Sequence, residues 1–242
     1  STAYVTLSGT APAPAPTPAP TPTTGGLYGI NIDPANPWGN PTPQQLKAAG
    51  ARWVRVEWMI IPGNATYDAV VPTYRAAGLK VLLLVDYSTV LGKPTAADSA
   101  ATWSAYITKF VAGVKQLASR FGNNVDAWQV WNEPDLQDTD GYRPYVPAAQ
   151  YGRMLRDTYG AIRTYSSRPV VTAGFASGNT YYVTDARTAA GGLFCDAIAL
   201  HPYGQRAPDN WPWADWGFGN MSDMLNRYLT FGKPLWITEI GV

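Results

Sequence analysis

Val130-Trp131-Asn132-Glu133-Pro134-Asp135 closes a short apolar run and turns into a loop at its proline. The run begins at Ala127 and is rich in residues that favour β-structure, as a strand buried on both faces requires. Pro134 cannot continue a hydrogen-bonded β-ladder because it lacks the backbone N–H. The sequence therefore predicts that Glu133 lies at the carboxyl end of a buried strand.

A second glutamate has the same setting near the end of the chain. Pro234-Leu235-Trp236-Ile237-Thr238 is an apolar run, and Glu239 follows it directly. In a parallel α/β barrel the carboxyl ends of all strands meet at one mouth, so acids far apart in sequence can face each other there. Glycoside hydrolysis uses such a pair: one carboxyl group protonates the leaving oxygen, and the other attacks the anomeric carbon or activates water. One strand-end glutamate alone is more often a solvated or salt-bridged loop residue.

Strand-like and helix-like stretches alternate from Gly25 to the end of the chain, and glycines such as Gly50, Gly78 and Gly122 follow the helix-like ones. Glycine at these places is typical of a helix C-cap. The alternation and the length predict an α/β fold with a parallel sheet, a TIM (β/α)8 barrel. Strands are expected at 27–32, 53–58, 80–85, 127–131, 170–174, 197–200 and 234–238, with helices at 43–49, 67–77, 96–120, 148–165, 184–190 and 221–230.

Seven strands and six helices are fewer than an eight-fold barrel needs, because the last βα unit is not readable in this chain. An open sheet would leave the first and seventh strands with unpaired edges. Three explanations stay open: the chain is part of a longer protein, a partner completes the sheet, or the strand-like segment Tyr4–Leu7 fills the gap.

Composition argues against several other kinds of site. A net charge of +1 argues against a nucleic-acid partner and favours a neutral one. The single cysteine, Cys195, excludes an intrachain disulfide or a cysteine zinc site, and the single histidine excludes a multi-histidine metal site. No apolar run approaches the roughly 20 residues of a membrane span. We therefore expect no metal, no cofactor and no membrane partner.

Three motifs resemble, in their order along the chain, those of the clan A retaining glycoside hydrolases. They are Trp131-Asn132-Glu133-Pro134-Asp135, Leu200-His201-Pro202-Tyr203-Gly204 and Ile237-Thr238-Glu239-Ile240-Gly241. The motifs are most similar to the family 39 and family 5 types, and the resemblance covers about residues 27–242. It implies a (β/α)8 barrel with the acid/base after the fourth strand and the nucleophile at the seventh.

By this resemblance Glu133 is the general acid/base and Glu239 is the nucleophile. Asn132, which precedes the acid/base, is expected to hydrogen-bond the 2-hydroxyl of the sugar. A retaining pair of carboxyl groups lies about 5 to 5.5 Å apart, closer than an inverting pair. The acid/base must hold a proton while the nucleophile stays ionised, so the two groups need different surroundings.

Further site residues follow from the same resemblance. Arg55 matches the arginine beside the nucleophile, whereas Arg52 lies nearer the start of the strand, away from the mouth. Tyr203 matches the aromatic hydroxyl that hydrogen-bonds the nucleophile. His201 is expected in the pocket because it is the only histidine and lies at a strand end; a structural role is the alternative.

Tryptophans are candidates for sugar contacts. Trp211, Trp213 and Trp216 lie in one loop after the sixth strand, where aromatic faces could stack on sugar rings and form subsites. The alternative is that they seal the loop against the barrel. Trp236 is expected either under the bound sugar or in the core.

The first part of the chain has a different composition. Residues 11–22 alternate proline with alanine or threonine, which favours extended polyproline II structure. We expect residues 10–26 to be a linker between a remnant of an upstream module at 1–9 and the barrel at 27–242; a disordered tail is compatible with this. Similar linkers join the modules of secreted bacterial polysaccharide-degrading enzymes, so a secreted, extracellular protein is expected.

Together these features predict a retaining glycoside hydrolase that cleaves β-glycosidic bonds in a neutral poly- or oligosaccharide. The alternative is a non-catalytic glycan-binding or scaffold module with the same architecture, because a fold alone does not imply a function. The two differ in whether a bound glycan releases reducing ends.

Overall fold

A computed structural model describes residues 28–36, 39–136, 144–202 and 221–240, together with the backbone of Val5–Leu7. The strands are β1 (Val5–Leu7), β2 (Gly29–Ile32), β3 (Trp53–Glu57), β4 (Lys80–Val85), β5 (Ala127–Val130), β6 (Val170–Phe175), β7 (Ala197–Leu200) and β8 (Leu235–Ile237). The helices are α1 (Pro43–Ala48), α2 (Asn64–Ala76), α3 (Ala100–Phe121), α4 (Ala148–Arg163), α5 (Thr180–Ala190) and α6 (Met221–Leu229), with a 3-10 turn at Gly122–Asn124.

The sheet has the order β1-β8-β7-β6-β5-β4-β3-β2, and each of the strands β2 to β8 is parallel to the next one along the chain. These seven strands curl into a half-barrel with helices between them, so the predicted α/β class and barrel architecture are confirmed. Among the described residues, no helix is long and apolar enough to cross a membrane.

Side-chain caps account for two differences between predicted and observed helix starts. Helix α3 begins at Ala100 rather than Ala96, because the Ser99 hydroxyl accepts the backbone N–H of Thr102 at 3.1 Å. Helix α5 begins four residues earlier than predicted, because the Asn179 side chain accepts the N–H of Tyr181 at 3.0 Å. Both caps satisfy backbone donors that the first turn of a helix leaves without a partner.

The far edge of the sheet is covered by the N-terminal strand. β1 runs antiparallel to β8, with Val5 opposite Ile237 and Leu7 opposite Leu235. This pairing corresponds to the third explanation for the unpaired edge, since residues of the N-terminal segment lie beside the last strand. In the part of the chain that the structure describes, β1 does not pair with β2, so the sheet remains open. The predicted boundaries of module remnant, linker and barrel stay a prediction.

The inner face of the half-barrel is layered. Its lower layer is a small apolar cluster that is separate from the main core between strands and helices. Trp53 and Trp236 pack against this cluster and meet edge to face at 5.3 Å. One step higher, on β3, on β5 and directly after β8, the buried side chains are the polar Arg55, Gln129 and Thr238, and they form the floor of the mouth. The apolar cluster comprises Leu82, Ala127, Val171, Ala197 and Ala199.

Candidate active site

The turn that carries Glu133 is held in an unusual backbone conformation. Trp131 and Glu133 have φ angles of 80° and 43°, and they are the two non-glycine residues with positive φ in the described ranges. For a bulky residue such as tryptophan this conformation is strained and must be supported by its surroundings. Trp131 is fully buried, and its indole N–H donates to the carbonyl of Pro144 at 2.7 Å. The core therefore fixes the turn that presents Glu133.

The tryptophan of this turn is a core residue. Trp131 packs edge to face against Tyr87 and Phe110, with ring centroids 5.8 and 5.4 Å apart. On the other side of the turn, the backbone N–H of Glu133 donates to the carbonyl of Gly174 in β6 at 3.1 Å. Backbone bonds to the neighbouring strand thus set the position from which Glu133 reaches the mouth.

Arg55 connects three other residues of the site. Its Nε donates to Oε1 of Gln129 at 2.6 Å, and its Nη2 donates to Oδ1 of Asn132 at 2.8 Å. Its Nη1 forms an ion pair with Oε1 of Glu239. The Arg55 side chain is buried, so this pairing favours a negatively charged Glu239 carboxylate in a fixed orientation. Arg52, by contrast, donates to the carbonyl of Ala51 at the start of the strand.

His201 lies between the two glutamates. Its Nδ1 is 2.9 Å from Oε1 of Glu133, and its Nε2 is 2.9 Å from Oγ1 of Thr238 and 3.6 Å from Oε1 of Glu239. The ring is fully buried. It fits there because Gly174 has no side chain: a Cβ at that position would lie 1.9 Å from the Nε2 of His201. The histidine therefore packs directly against the backbone of β6.

The two carboxylates are close to each other. One oxygen of Glu133, one ring nitrogen of His201 and one oxygen of Glu239 all lie within 4.8 Å of one another. This spacing is near that of a retaining pair and well below the roughly 6.5–9.5 Å of an inverting pair. The three groups are also of the kind that binds a divalent metal ion. A cation there would have to replace the contact between Arg55 and Glu239 and that between His201 and Glu133.

Several residues of this site were not found by sequence reasoning. Gln129 and Thr238 are fully buried and connect Arg55 to His201, since Nε2 of Gln129 donates to Oγ1 of Thr238 at 3.0 Å. A glutamine in the apolar strand β5 was the available signal. Asp135, in the same motif as Glu133, accepts the N–H groups of Ala176 and Ser177 at 3.1 and 2.7 Å and so tethers the loop after β6.

A buried aspartate also lies at this end of the sheet. Asp86 directly follows β4, and burial raises the pKa of its carboxyl well above the usual range, with the nearby negative charge of Glu57 adding to the shift. Its Oδ1 accepts the N–H of Ser88 at 2.8 Å. A proton held by Asp86 would remove the charge repulsion between Asp86 and Glu57. Like Glu133, Asp86 ends a buried strand, and this position could have identified it.

A cavity of about 460 Å³ opens beside Arg55 at the carboxyl ends of β2 and β3. Its lining is rich in amides and carboxylates, which are groups that hydrogen-bond hydroxyls. A larger groove of about 740 Å³ lies between α3 and the segments that follow β3 and β4, and neither glutamate of the site lines it. The polar residues that line the smaller cavity are Asn31, Asp33, Asn36, Asn40, Arg55 and Glu57.

The structure thus brings together five of the ten predicted site residues: Arg55, Asn132, Glu133, His201 and Glu239. It does not bring Trp236 to them, because this ring lies in the apolar layer below, against Trp53. The other four, Tyr203, Trp211, Trp213 and Trp216, lie outside the described residues.

Residues 94–242 match the family model described as glycosyl hydrolase catalytic core. The chain belongs to this family and is therefore a glycoside hydrolase. No curated protein sequence matches the chain. The predicted resemblance to clan A is supported by the family match and by solved structures with the same fold.

Three of these structures show how far the likeness extends. A family 5 broad-specificity endoglucanase from Clostridium acetobutylicum superposes with a TM-score of 0.60 at 18% identity, over 86% of this chain and 75% of that one. A family 39 glycoside hydrolase from Bacteroides cellulosilyticus gives 0.53 at 19%, over 75% and 39%. A family 5 xyloglucanase from Bacteroides ovatus, solved with a heptasaccharide, gives 0.56 at 19%, over 82% and 52%. At these identities the likeness shows the fold, and the chain spans about half or less of the last two proteins.

Proposed function

We propose that this chain is a retaining glycoside hydrolase that cleaves β-linked neutral poly- or oligosaccharides by double displacement. The observation that carries the proposal is the approach of the Glu133 and Glu239 carboxylates to within 4.8 Å of each other, at one mouth and in different surroundings. Glu239 is paired with Arg55, whereas Glu133 contacts the ring of His201.

In the first step the Glu133 carboxyl gives its proton to the glycosidic oxygen while the Glu239 carboxylate attacks the anomeric carbon. The bond between that carbon and the leaving oxygen breaks, and a covalent glycosyl-enzyme forms. Arg55 has two tasks here. It stabilises the charge of Glu239 before the attack, and it holds Oδ1 of Asn132 at 2.8 Å, so that the NH₂ of this amide remains to donate to a sugar hydroxyl.

In the second step Glu133, now a carboxylate, takes a proton from water as the water oxygen attacks the anomeric carbon. The bond to Glu239 breaks, and its carboxylate returns to Arg55. Because each step inverts the anomeric centre, the product keeps the configuration of the substrate. The spacing of the two acids supports this route because it leaves no room for the water that an inverting enzyme places between them.

The substrate and location rest on different grounds. The amide-rich cavity beside Arg55 suits a hydroxyl-rich sugar, and its Asp33 and Glu57 carboxylates would repel an acidic one. The β-linkage is proposed from the resemblance to families 5 and 39. Secretion, and an upstream module joined through residues 10–26, are proposed from the Pro/Thr composition of that segment.

The test is hydrolysis of a panel of β-glucans, xylans and mannans, measured by release of reducing ends, with the product anomer followed by proton NMR. Glu239→Gln should remove nearly all turnover, and Glu133→Gln should lower it by about 10²–10⁴-fold. Asp157→Asn, an equivalent change at an exposed acid on α4, is the matched control and should leave turnover unchanged.

Three results would contradict the proposal. Full activity of Glu239→Gln would exclude this residue as the nucleophile. Release of the inverted anomer would exclude double displacement. Glycan binding without release of reducing ends, in a chain whose circular dichroism shows a folded barrel, would favour the non-catalytic binding module instead.

A further inference from the structure

A chain of buried hydrogen bonds runs from Arg55 to Glu133 through three side chains. Arg55 Nε is 2.6 Å from Gln129 Oε1, Gln129 Nε2 is 3.0 Å from Thr238 Oγ1, and Thr238 Oγ1 is 2.9 Å from His201 Nε2. The last link joins His201 Nδ1 to Oε1 of Glu133 at 2.9 Å. The three middle residues are each fully buried. The last three links lie at normal hydrogen-bond distances, and the first, from the charged guanidinium, is slightly shorter.

The donor in each link follows from the first one. Arginine has only donors, so it must face the carbonyl oxygen of the Gln129 amide, and the NH₂ of that amide must then donate to Thr238. The Thr238 hydroxyl has one proton of its own, and within the described residues the only remaining partner of Oγ1 is Nε2 of His201. A buried hydroxyl proton without an acceptor is costly, so the hydroxyl donates to an unprotonated Nε2.

We propose that Gln129 and Thr238 are positioning residues that hold His201 as the tautomer with its proton on Nδ1, directed at Oε1 of Glu133. This inference rests on the proposed role of Glu133 as the acid/base. With Oε1 accepting from Nδ1, the transferable proton of Glu133 is confined to Oε2, the oxygen left for the substrate. When Glu133 is a carboxylate, the same Nδ1–H stabilises it.

The charged groups around His201 do not choose between the tautomers by themselves. Glu133 lies on the Nδ1 side, and Glu239 lies 3.6 Å from Nε2, so carboxylates face both ring nitrogens. Arg55 is paired with Glu239 and offsets its charge on the Nε2 side. The hydroxyl of Thr238, oriented by Gln129, therefore decides which nitrogen carries the proton.

The tautomer can be observed directly, because His201 is the only histidine in the chain. Protein labelled with ¹⁵N-histidine and purified without a histidine tag gives one pair of ring-nitrogen signals, and protonated and unprotonated nitrogens resonate far apart. At neutral pH we expect Nδ1 to be protonated and Nε2 unprotonated. A proton on Nε2, alone or together with one on Nδ1, would overturn the proposal.

A pair of variants tests the role of Thr238. Thr238→Val keeps the shape of the side chain but removes the hydroxyl, so the tautomers should mix and kcat should fall about ten-fold with little change in KM, since one oriented hydrogen bond is lost. Thr238→Ser keeps the hydroxyl and should restore both the signals and the rate. An unchanged tautomer in Thr238→Val would refute the role of this residue. The spectra need no substrate, so this result is independent of the turnover tests on Glu239.

Discussion

A single methyl group at Gly174 should disable the site without removing a polar residue. In Gly174→Ala the new Cβ would lie 1.9 Å from Nε2 of His201, 2.3 Å from its Cδ2 and 2.4 Å from its Cε1. The closest of these approaches is about 1.5 Å shorter than the 3.4 Å at which ordinary contact begins. Because the methyl group is fixed to the backbone of β6, the imidazole must move.

The size of the effect follows from that displacement. A shift of the ring by about 1 Å or more would lengthen both 2.9 Å contacts, to Glu133 and to Thr238, beyond hydrogen-bonding distance. Misplacement of a site by about 1 Å can cost about 100-fold in rate, and we expect a loss of this order in kcat/KM. Overpacking a buried position typically costs about 1–3 kcal/mol, so the free energy of unfolding should fall by that amount while the barrel still folds.

The assay combines kcat/KM on the best glycan of the panel, thermal unfolding, and the ¹⁵N signals of His201. Gly160→Ala is the matched control, since a Cβ at Gly160 meets nothing within 4 Å. The reasoning fails if Gly174→Ala keeps its activity within two-fold and leaves the His201 signals unchanged. That result would mean that β6 can retreat from the ring at no cost to the site.

Two further predictions concern stability. Gly152→Ala on α4 should lower the free energy of unfolding by about 1–3 kcal/mol, because its Cβ would lie 2.0 Å from the backbone oxygen of Ala186 in α5. Gly160→Ala on the same helix should instead raise the free energy of unfolding by up to about 1 kcal/mol, because its Cβ meets nothing within 4 Å. Equal denaturation midpoints of the two variants would contradict this. The raised pKa of Asp86 means that the folded chain loses stability as the pH rises above the unfolded value of 3.8 and until the folded pKa is reached, by at most about 1.4 kcal/mol per pH unit. The side chain in Asp86→Asn is uncharged at every pH. The melting temperature of this variant should therefore rise relative to that of the original chain between pH 4 and pH 7. A difference in melting temperature that does not change with pH would refute the raised pKa of Asp86.

The strands were predictable because they carry a local signal. Buried parallel strands read as continuous apolar runs, and β4 and β7 have the predicted limits without change. The start of α5 was missed, because its signal was the cap residue Asn179, four residues before the buried Val183. The pairing of Val5–Leu7 with β8 was one of three explanations left open, since a three-residue strand has too little pattern to show where it pairs.

Part of the candidate site could also be predicted from local sequence, and part of it could not. Glu133 and Glu239 could be found because each ends an apolar run, and Asn132 lies in the motif of Glu133. Arg55 followed from the resemblance to clan A, and His201 from being the only histidine, at a strand end. Trp236 shows the limit of this reasoning. Side chains on one face of a strand repeat every second residue, so Trp236 lies on the same face as Thr238, one step lower. It was a candidate for the mouth, yet at this level it packs into the apolar layer.

The sequence by itself determined the order of the seven parallel strands and six helices, the resemblance to clan A, and the two acids at strand ends, since each of these is carried by neighbouring residues. Only the tertiary structure decided that Gly174 makes room for His201, and that Gln129 and Thr238 connect that ring to Arg55. These contacts join residues on different strands, and the distances between them depend on the register and curl of the parallel sheet. No local pattern encodes such a register, because it is set by the packing of the whole half-barrel at once.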